Sequence, residues 1–382
     1  MVCEKLFKKI DELSDKYLDV LEDICKIESP TDDKEAVDRC GRYFIEFAKK
    51  KGWKYEVFDE AVSGDIVTVI LNPDAEKAPV AMSAHLDTVH PAGLFKEPVV
   101  WRDDKNMYGP GVLDCKGGAA AGLLVLEALE EIGYSDRPVL LILQSDEEKG
   151  STPSDKRTIN HICERAKGSV AFLNAEGYSK DKLILTRKGI LRYRIDVKGK
   201  AVHSAQSYNG KSAVLEASHK IIELEKIKEK EGVTYNCGVI SGGTTPNTVA
   251  EECHFFVDIR YNTSAEYEEA VKRVAEIAER SYIGDTTARV SIVSMRPAME
   301  YSEKNFALLD RINEIFSQNK IPTVTAHHGL GGSDAAYTTI AGIPTVDSIG
   351  PEGDRAHSVE ESMVLSSFSE CAKRMAAIAY CI

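Results

Sequence analysis

Between residues 189 and 298 the chain carries a full strand-helix-strand-strand-helix-strand pattern, and this block interrupts a different alternation that resumes after it. The block opens on an alternating apolar run at 191–197, followed by a helical period at 212–228 and strands at 233–240 and 248–260. A helix at 265–279 and a strand at 288–293 complete it, the order of a ferredoxin-like α+β unit. Upstream, Leu13, Tyr17, Val20, Leu21 and Ile24, then Val37, Tyr43, Phe44 and Phe47, keep helical spacing on either side of Ser29-Pro30-Thr31, which predicts two opening helices. β-rich runs follow at 55–58, 66–71, 80–84 and 139–143, with an alanine-, glycine- and leucine-rich helix at 116–132. Downstream come a helix at 306–316, a short strand at 345–347 and a last helix at 365–380. Strands alternating with helices predict an α/β fold, a mixed central sheet with helices on both faces. The expected organisation is a discontinuous main domain, 1–188 and 299–382, with an inserted domain at 189–298.

Charge and cysteine usage narrow the partners. A formal net charge of −13 opposes any sequence-independent grip on phosphate backbones or anionic lipid, and no basic patch offsets it. Nine cysteines without paired spacing or a CxxC read as free thiols in a reducing compartment. The first turn mixes Glu4 and Lys5 with Leu6 and Phe7, and no apolar run reaches membrane-spanning length. A cytoplasmic protein is expected.

Four polar clusters fall at the ends of predicted strands, where open α/β sheets hold their ligands. In His85-Leu86-Asp87-Thr88-Val89 an extended backbone sends His85 and Asp87 to one side, so the carboxylate is placed to orient the imidazole. Alone, the pair reads first as a strand-end histidine bonded to a turn. The run Gly109-Pro110-Gly111-Val112-Leu113-Asp114-Cys115-Lys116-Gly117-Gly118 opens the helix at 116–132. A phosphate-cradling loop is the rival reading, but Pro110 has no N–H and Asp114 stands where G-x-G-x-x-G needs its third glycine. A carboxylate there repels pyrophosphate and suits a metal. Asp146-Glu147-Glu148 follows the strand at 139–143; neighbouring acids point to different sides, so one can hold a metal while the next moves protons. By itself the run is a solvated acidic turn. Glu176, after an apolar run at 170–173, and His357, in Asp354-Arg355-Ala356-His357-Ser358, are each surface residues when taken singly. Together, two histidines and three carboxylates supply the nitrogen and oxygen ligands that zinc, cobalt or manganese accept. Asp114, Glu148, Glu176 and one hydroxide bring a negative charge each, and two divalent cations neutralise that set where one does not. A bridged pair about 3.5–4 Å apart is the better electrostatic solution.

With these residues in order, the chain resembles the co-catalytic di-zinc exopeptidase and deacylase family that contains glutamate carboxypeptidase, acetylornithine deacetylase, succinyl-diaminopimelate desuccinylase, aminoacylase and several dipeptidases. The resemblance runs from Ser29-Pro30-Thr31 to the last helix. Its stretches His85-Leu86-Asp87-Thr88-Val89, Tyr108-Gly109-Pro110-Gly111 and Asp146-Glu147-Glu148-Lys149-Gly150-Ser151 are nearest to the glutamate carboxypeptidase branch. It implies a zinc exopeptidase-like main domain holding two Zn2+ ions, with cobalt or manganese as substitutes. Asp114 would bridge the ions, His85 and Glu176 would complete one site, and Glu148 and His357 the other. Asp87 would stand behind His85, and Glu147 would be the general base. The resemblance also implies a cis bond between Asp114 and Cys115, with Cys115 in place of an acid common in relatives. His203, in the inserted domain, would stabilise the oxyanion, in many relatives from the partner subunit of a dimer; without the resemblance it reads as a turn histidine beside Gly199. Arg260 and Asn247 match contacts to the substrate's carboxylate or backbone, and a guanidinium holds an α-carboxylate through two bonds. Gly331-Gly332-Ser333-Asp334 matches a glycine-rich substrate loop, with Ser333 where threonine is usual. Lys182 and Arg187 are the candidates for reading an acidic side chain.

The function this implies is metal-dependent release of a C-terminal amino acid, glutamate among the candidates, from a small peptide or N-acyl amino acid by a homodimer joined through the inserted domain. Deacylases of the acetylornithine or succinyl-diaminopimelate type and dipeptidases share that chemistry. A metal-free scaffold relative is the non-enzyme alternative, opposed by the presence of all five ligands and the base. Asp114 opposes a dinucleotide-dependent oxidoreductase. The run at 190–198 lacks the paired aromatics of RNA recognition, so neither a nucleic acid nor a membrane is an expected partner.

Overall fold

In the strand Val80–His85, Val80, Met82 and Ala84 face one apolar cluster and Ala81 another. Val139–Gln144 repeats the pattern, Val139, Leu141 and Leu143 opposing Leu140 and Ile142. Residues two apart share a face, so strands apolar on both sides require helices on both. One face is covered by Glu4–Lys26, Lys34–Lys51, Lys116–Glu131, Glu303–Gln318 and Leu365–Cys381. The other receives Ile159 and Ile162 of the helix Arg157–Arg165. The computed structural model describes residues 2–177, 181–226 and 232–382. They form two units, one of Met1–Thr186, Tyr301–His328 and Ser333–Ile382, the other of Arg187–Glu300 and Gly329–Gly332.

The first unit is built on an eight-stranded mixed sheet in the order Lys54–Phe58, Ile66–Leu71, Val139–Gln144, Val80–His85, Ala171–Asn174, Thr345–Asp347, Lys182–Arg187, Thr325–Gly329. The four strands from Val139–Gln144 to Thr345–Asp347 are mutually parallel. Their carboxyl ends therefore leave the sheet at one edge, the edge at which such sheets bind ligands. A second, small antiparallel sheet joins Gly353–Asp354, Ser362–Val364, Asn106–Tyr108 and Trp101–Arg102. These strands of two or three residues are too short to leave an alternation in the sequence, and none was expected.

The second unit is a four-stranded antiparallel sheet in the order Thr234–Gly242, Glu252–Tyr261, Gly189–Lys198, Thr287–Arg296. Its helices Ala213–Glu225 and Ser264–Glu279 share an apolar core with it. Ser212 and Thr263 cap these helices, each side chain accepting a backbone N–H three residues on at 3.2 Å. The element order is the ferredoxin-like one expected. Bounds shift at two strands: the last runs on to Arg296, and residues 248–249, expected to open a strand, pair instead with the His203 segment, Thr248 bridging His203 and Val249 N–H donating to the Val202 carbonyl at 2.9 Å, so that the strand begins at Glu252. The expected helix end at Lys228 lies outside the described residues. Among the described residues no helix is long and apolar enough to cross a membrane.

Candidate metal centre

The parallel strands deliver acids and a histidine to one edge. His85 is the last residue of its strand and is paired in register with Gln144. Three residues past Gln144, the chain turns through the short 3-10 segment Glu147–Lys149. Glu176 follows Ala171–Asn174 by two positions. Asp114 arrives from the glycine loop just before the helix Lys116–Glu131. That helix packs close: a Cβ on Gly118 would lie 2.2 Å from the carbonyl oxygen of Ala175, so only glycine lets the first turn press against the end of the strand that leads to Glu176. Cys115 donates its thiol to the same carbonyl at 3.1 Å, and the bond between Asp114 and Cys115 is cis.

Asp114 stands between two histidines. Its Oδ1 lies 2.8 Å from His85 Nε2, and its Oδ2 lies 3.0 Å from His357 Nε2. Glu176 reaches His85 Nε2 at 3.8 Å, and Glu148 reaches His357 Nε2 at 3.3 Å. Ligand atoms of His85, Asp114 and Glu148 all fall within 4.8 Å of one another. His85 Nδ1 meets the Asp87 carbonyl at 2.9 Å, so the ring is oriented through one nitrogen while the other faces the carboxylates, as in histidines that hold metals. Asp87, fully buried, accepts the Thr31 hydroxyl at 2.8 Å and the backbone N–H groups of Glu147 and Glu148 at 3.1 Å.

Proton affinities in this cluster are displaced. Burial opposes charge on His85, but the carboxylates of Glu176, Asp114 and Asp87 outweigh it and hold the imidazole well above its ordinary value. Hydrogen bonds to Asp114 and Glu148 raise His357 to about 10. Burial raises Glu148 to about 7 and Glu176 well above the carboxylate range. Burial also works against ionised Asp114, yet the bonds from His357 and His85 prevail and hold it well below its usual value. Three acids and two histidines crowded this closely call for positive charge. Their nitrogen and oxygen donors fit divalent transition metals.

Two features escaped sequence reasoning. Thr31 buttresses Asp87, and Glu361 is the anion that the glycine loop cradles: the loop does bind a negative group, but one supplied by the chain itself. Glu361 accepts from the N–H of Leu113 at 2.9 Å, Asp114 at 3.0 Å and Gly111 at 3.2 Å. In the sequence Glu361 is one more acid after Glu360, and nothing marks it as buried.

The remaining candidates divide between the units. Ser333, in the first, is buried, with its hydroxyl bonded to Asn174 Nδ2 at 3.1 Å. His203, Asn247, Arg260, Gly331 and Gly332 belong to the second. There His203 bridges to Thr248, and the Asn247 carbonyl accepts from Ser204 N–H at 2.9 Å, which sets His203 beside Asn247. His203 Nδ1 accepts the Ala205 N–H at 3.2 Å, leaving Nε2 as the protonated nitrogen. Arg260 spends its Nε on Asp258 at 2.6 Å, and Asp258 also accepts from Arg192. Arg187 Nη1 donates to the Gly331 carbonyl at 3.2 Å. Lys182 opens an edge-side strand and is exposed.

The family described as Peptidase family M20/M25/M40 matches residues 81–380. The chain belongs to that family. It is accordingly an enzyme acting on amide bonds, from a metal-dependent peptidase family. Carboxypeptidase G2 of Pseudomonas sp. (strain RS-16) is 29% identical over 361 residues, 92% of this chain and 86% of the relative. Among solved structures, a tripeptidase from Staphylococcus aureus superposes with a TM-score of 0.82 at 20% identity, covering 96% of this chain and 98% of its own. An M20 family metallo-carboxypeptidase from Sulfolobus solfataricus gives 0.75 at 16% identity, covering 95% and 98%. The two structures establish the shared fold.

Proposed function

We propose that this protein is a zinc-dependent exopeptidase that releases a C-terminal amino acid, with glutamate the first candidate, from a small peptide or N-acyl amino acid. The observation that carries this reading is Asp114, whose two oxygens face two different histidines. That arrangement suits a carboxylate shared by two cations, with His85 and Glu176 on one and Glu148 and His357 on the other. The likeness to carboxypeptidase G2 over most of both chains supports the carboxypeptidase branch. When bound, the ions acidify a water and polarise the substrate carbonyl.

This chain's own residues do the rest. Glu147 takes the proton from the attacking water and returns it to the leaving amine. Asp87 holds the peptide N–H groups of Glu147 and Glu148, which keeps the base and the neighbouring ligand in one frame. His203, with its proton on Nε2, donates to the oxyanion that develops on the substrate. Arg260 and Asn247 receive the free carboxylate and backbone, and Gly331, Gly332 and Ser333 shape the adjoining loop. The working organisation is a catalytic domain of 1–188 and 299–382 with a lid and dimerisation domain at 189–298, acting as a cytoplasmic homodimer.

Hydrolysis is to be followed on C-terminal glutamate peptides, folate-like glutamate conjugates, N-acetyl and N-succinyl amino acids and dipeptides, before and after chelation and zinc return. Chelator-sensitive release that zinc restores, and that Glu147→Ala lowers by ~10²–10⁴-fold, supports the proposal. A best substrate among the N-acyl amino acids or dipeptides would replace the carboxypeptidase branch with a deacylase or dipeptidase. Full turnover in metal-stripped protein would sink the metal mechanism.

A further inference from the structure

Glu361 takes no part in the reaction above, yet its carboxylate is the hub of the loop that carries Asp114. It is 1% exposed. Oε1 accepts from the N–H groups of Leu113 and Asp114 at 2.9 and 3.0 Å; Oε2 accepts from Gly111 at 3.2 Å and faces His90 Nε2 at 3.3 Å. The Glu361 carbonyl also accepts from Gly109 N–H at 3.3 Å. Backbone N–H groups turned toward one point make an anion cradle, and Gly111, at φ 79, takes a conformation that favours glycine. The small sheet explains how the acid arrives: Ser362–Val364 pairs with Asn106–Tyr108, Ser362 opposite Tyr108, so Glu361 enters opposite the start of the loop. Four residues earlier the same segment carries His357.

We infer that Glu361 is a positioning residue that locks the Asp114 loop to the His357 segment, so that the His357 side of the metal centre is assembled through it. The inference rests on the di-metal reading proposed above. The two sides are mounted differently. His85 ends a central sheet strand and is 1% exposed, whereas His357 is 57% exposed on a loop between strands of two and three residues. His357 also sits at φ 66, outside the ordinary range for a non-glycine residue. Without the Glu361 carboxylate, three backbone donors of the Asp114 loop lose their acceptor, and the tie to the His357 segment goes with them. The strand that carries His85 is untouched.

The experiment is a cobalt titration of metal-free protein, read by visible absorption and by competition with a chromophoric chelator, alongside thermal unfolding of the metal-free proteins. Wild type, Glu361→Gln and His90→Gln are compared. Wild type should take up two ions. In Glu361→Gln the amide oxygen keeps the bonds from Leu113 and Asp114, while its NH2 confronts the Gly111 N–H. The ion on the Glu148 and His357 side should therefore lose ~10–100-fold in affinity, the scale for partners behind a ligand, with an altered cobalt band, and the other, anchored by His85 and Glu176, should weaken clearly less. His90→Gln, which leaves the cradle intact, should weaken the same ion less, and it carries the test if Glu361→Gln does not fold. Equal weakening of both ions with a lowered unfolding midpoint would make Glu361 a general structural support and overturn the inference, as would unchanged affinity for both. A wild-type protein that binds no cobalt would overturn the metal-centre reading itself.

Discussion

His85 and His357 face the same carboxylate from opposite mountings. His85 is held at the end of a strand flanked on both sides by parallel neighbours, and its second nitrogen is tied to the Asp87 carbonyl. His357 projects from an exposed loop and depends on its bonds to Asp114 and Glu148. The difference shows how one centre can join a rigid half, inherited from the sheet, to a half that must be tied down by local polar contacts. It also separates what sheet packing contributes from what buried carboxylates contribute.

Substitution at the shared residue removes the comparison altogether. Asp114→Asn should lose both ions and several kcal/mol of transition-state stabilisation, on the order of 10³-fold or more in kcat/KM; elemental analysis after gel filtration, with single-substrate kinetics, checks it. The two halves come apart in the next pair. His357→Ala should keep one ion per chain, while His85→Ala, which opens a void at the sheet edge, should also lower the unfolding temperature of the metal-free protein. Equal metal content and equal thermal stability in the two variants would show that the mountings do not differ. Asp87→Asn is the counterpart of a Glu361 substitution at the sheet end, where the carboxylate holds the backbone of Glu147 and Glu148. It should weaken metal binding by ~10–100-fold while leaving the fold in place, as read by metal competition and circular dichroism.

The smallest effect is a proton count. His357 is raised to about 10 and His85 lies well above its ordinary value, so the metal-free centre carries protons at pH 7 that a cation must expel. Metal binding should release protons, measured by calorimetry in buffers of different ionisation enthalpy, and affinity should fall as pH is lowered. The sign for the metal-free fold is opposite. A raised histidine stabilises it fully below about 6.5, the ordinary histidine value, and that contribution disappears as pH rises through about 10.

Legibility followed the length and regularity of each element. The runs at 66–71, 80–84 and 139–143 announce themselves because six-residue strands buried on both faces read as continuous apolar runs. The helix at 116–132 was legible from its apolar composition, and the structure ends it at Glu131. Arg157–Arg165 escaped because its nine residues bring only Ile159, Ile162 and the partly buried Cys163 as apolar contacts to the core, too few to set a helical period. The strand expected from 248 begins at Glu252 because Val249 and Ala250 bond elsewhere, Val249 N–H to the Val202 carbonyl at 2.9 Å and the Ala250 carbonyl to Ala213 N–H at 2.8 Å, a pairing that local composition does not reveal. Among polar residues, Asp114 stood out as an acid among glycines. Glu361 did not, since a carboxylate in an acidic stretch looks solvated until the fold brings three N–H groups to it.

By itself the sequence determined the order of the long regular elements, the two apolar faces of the main sheet, the ferredoxin-like block and the membership of the polar clusters, because periodicity and turn chemistry act over a few residues. Only the tertiary structure decided which cluster residues meet. Asp114 and His357 are 243 positions apart, and their 3.0 Å contact depends on strand order and on a small sheet with no sequence signature. It likewise turned Glu361 from a surface acid into a buried hub, since burial and partner are properties of the packed chain and a local run of residues encodes neither.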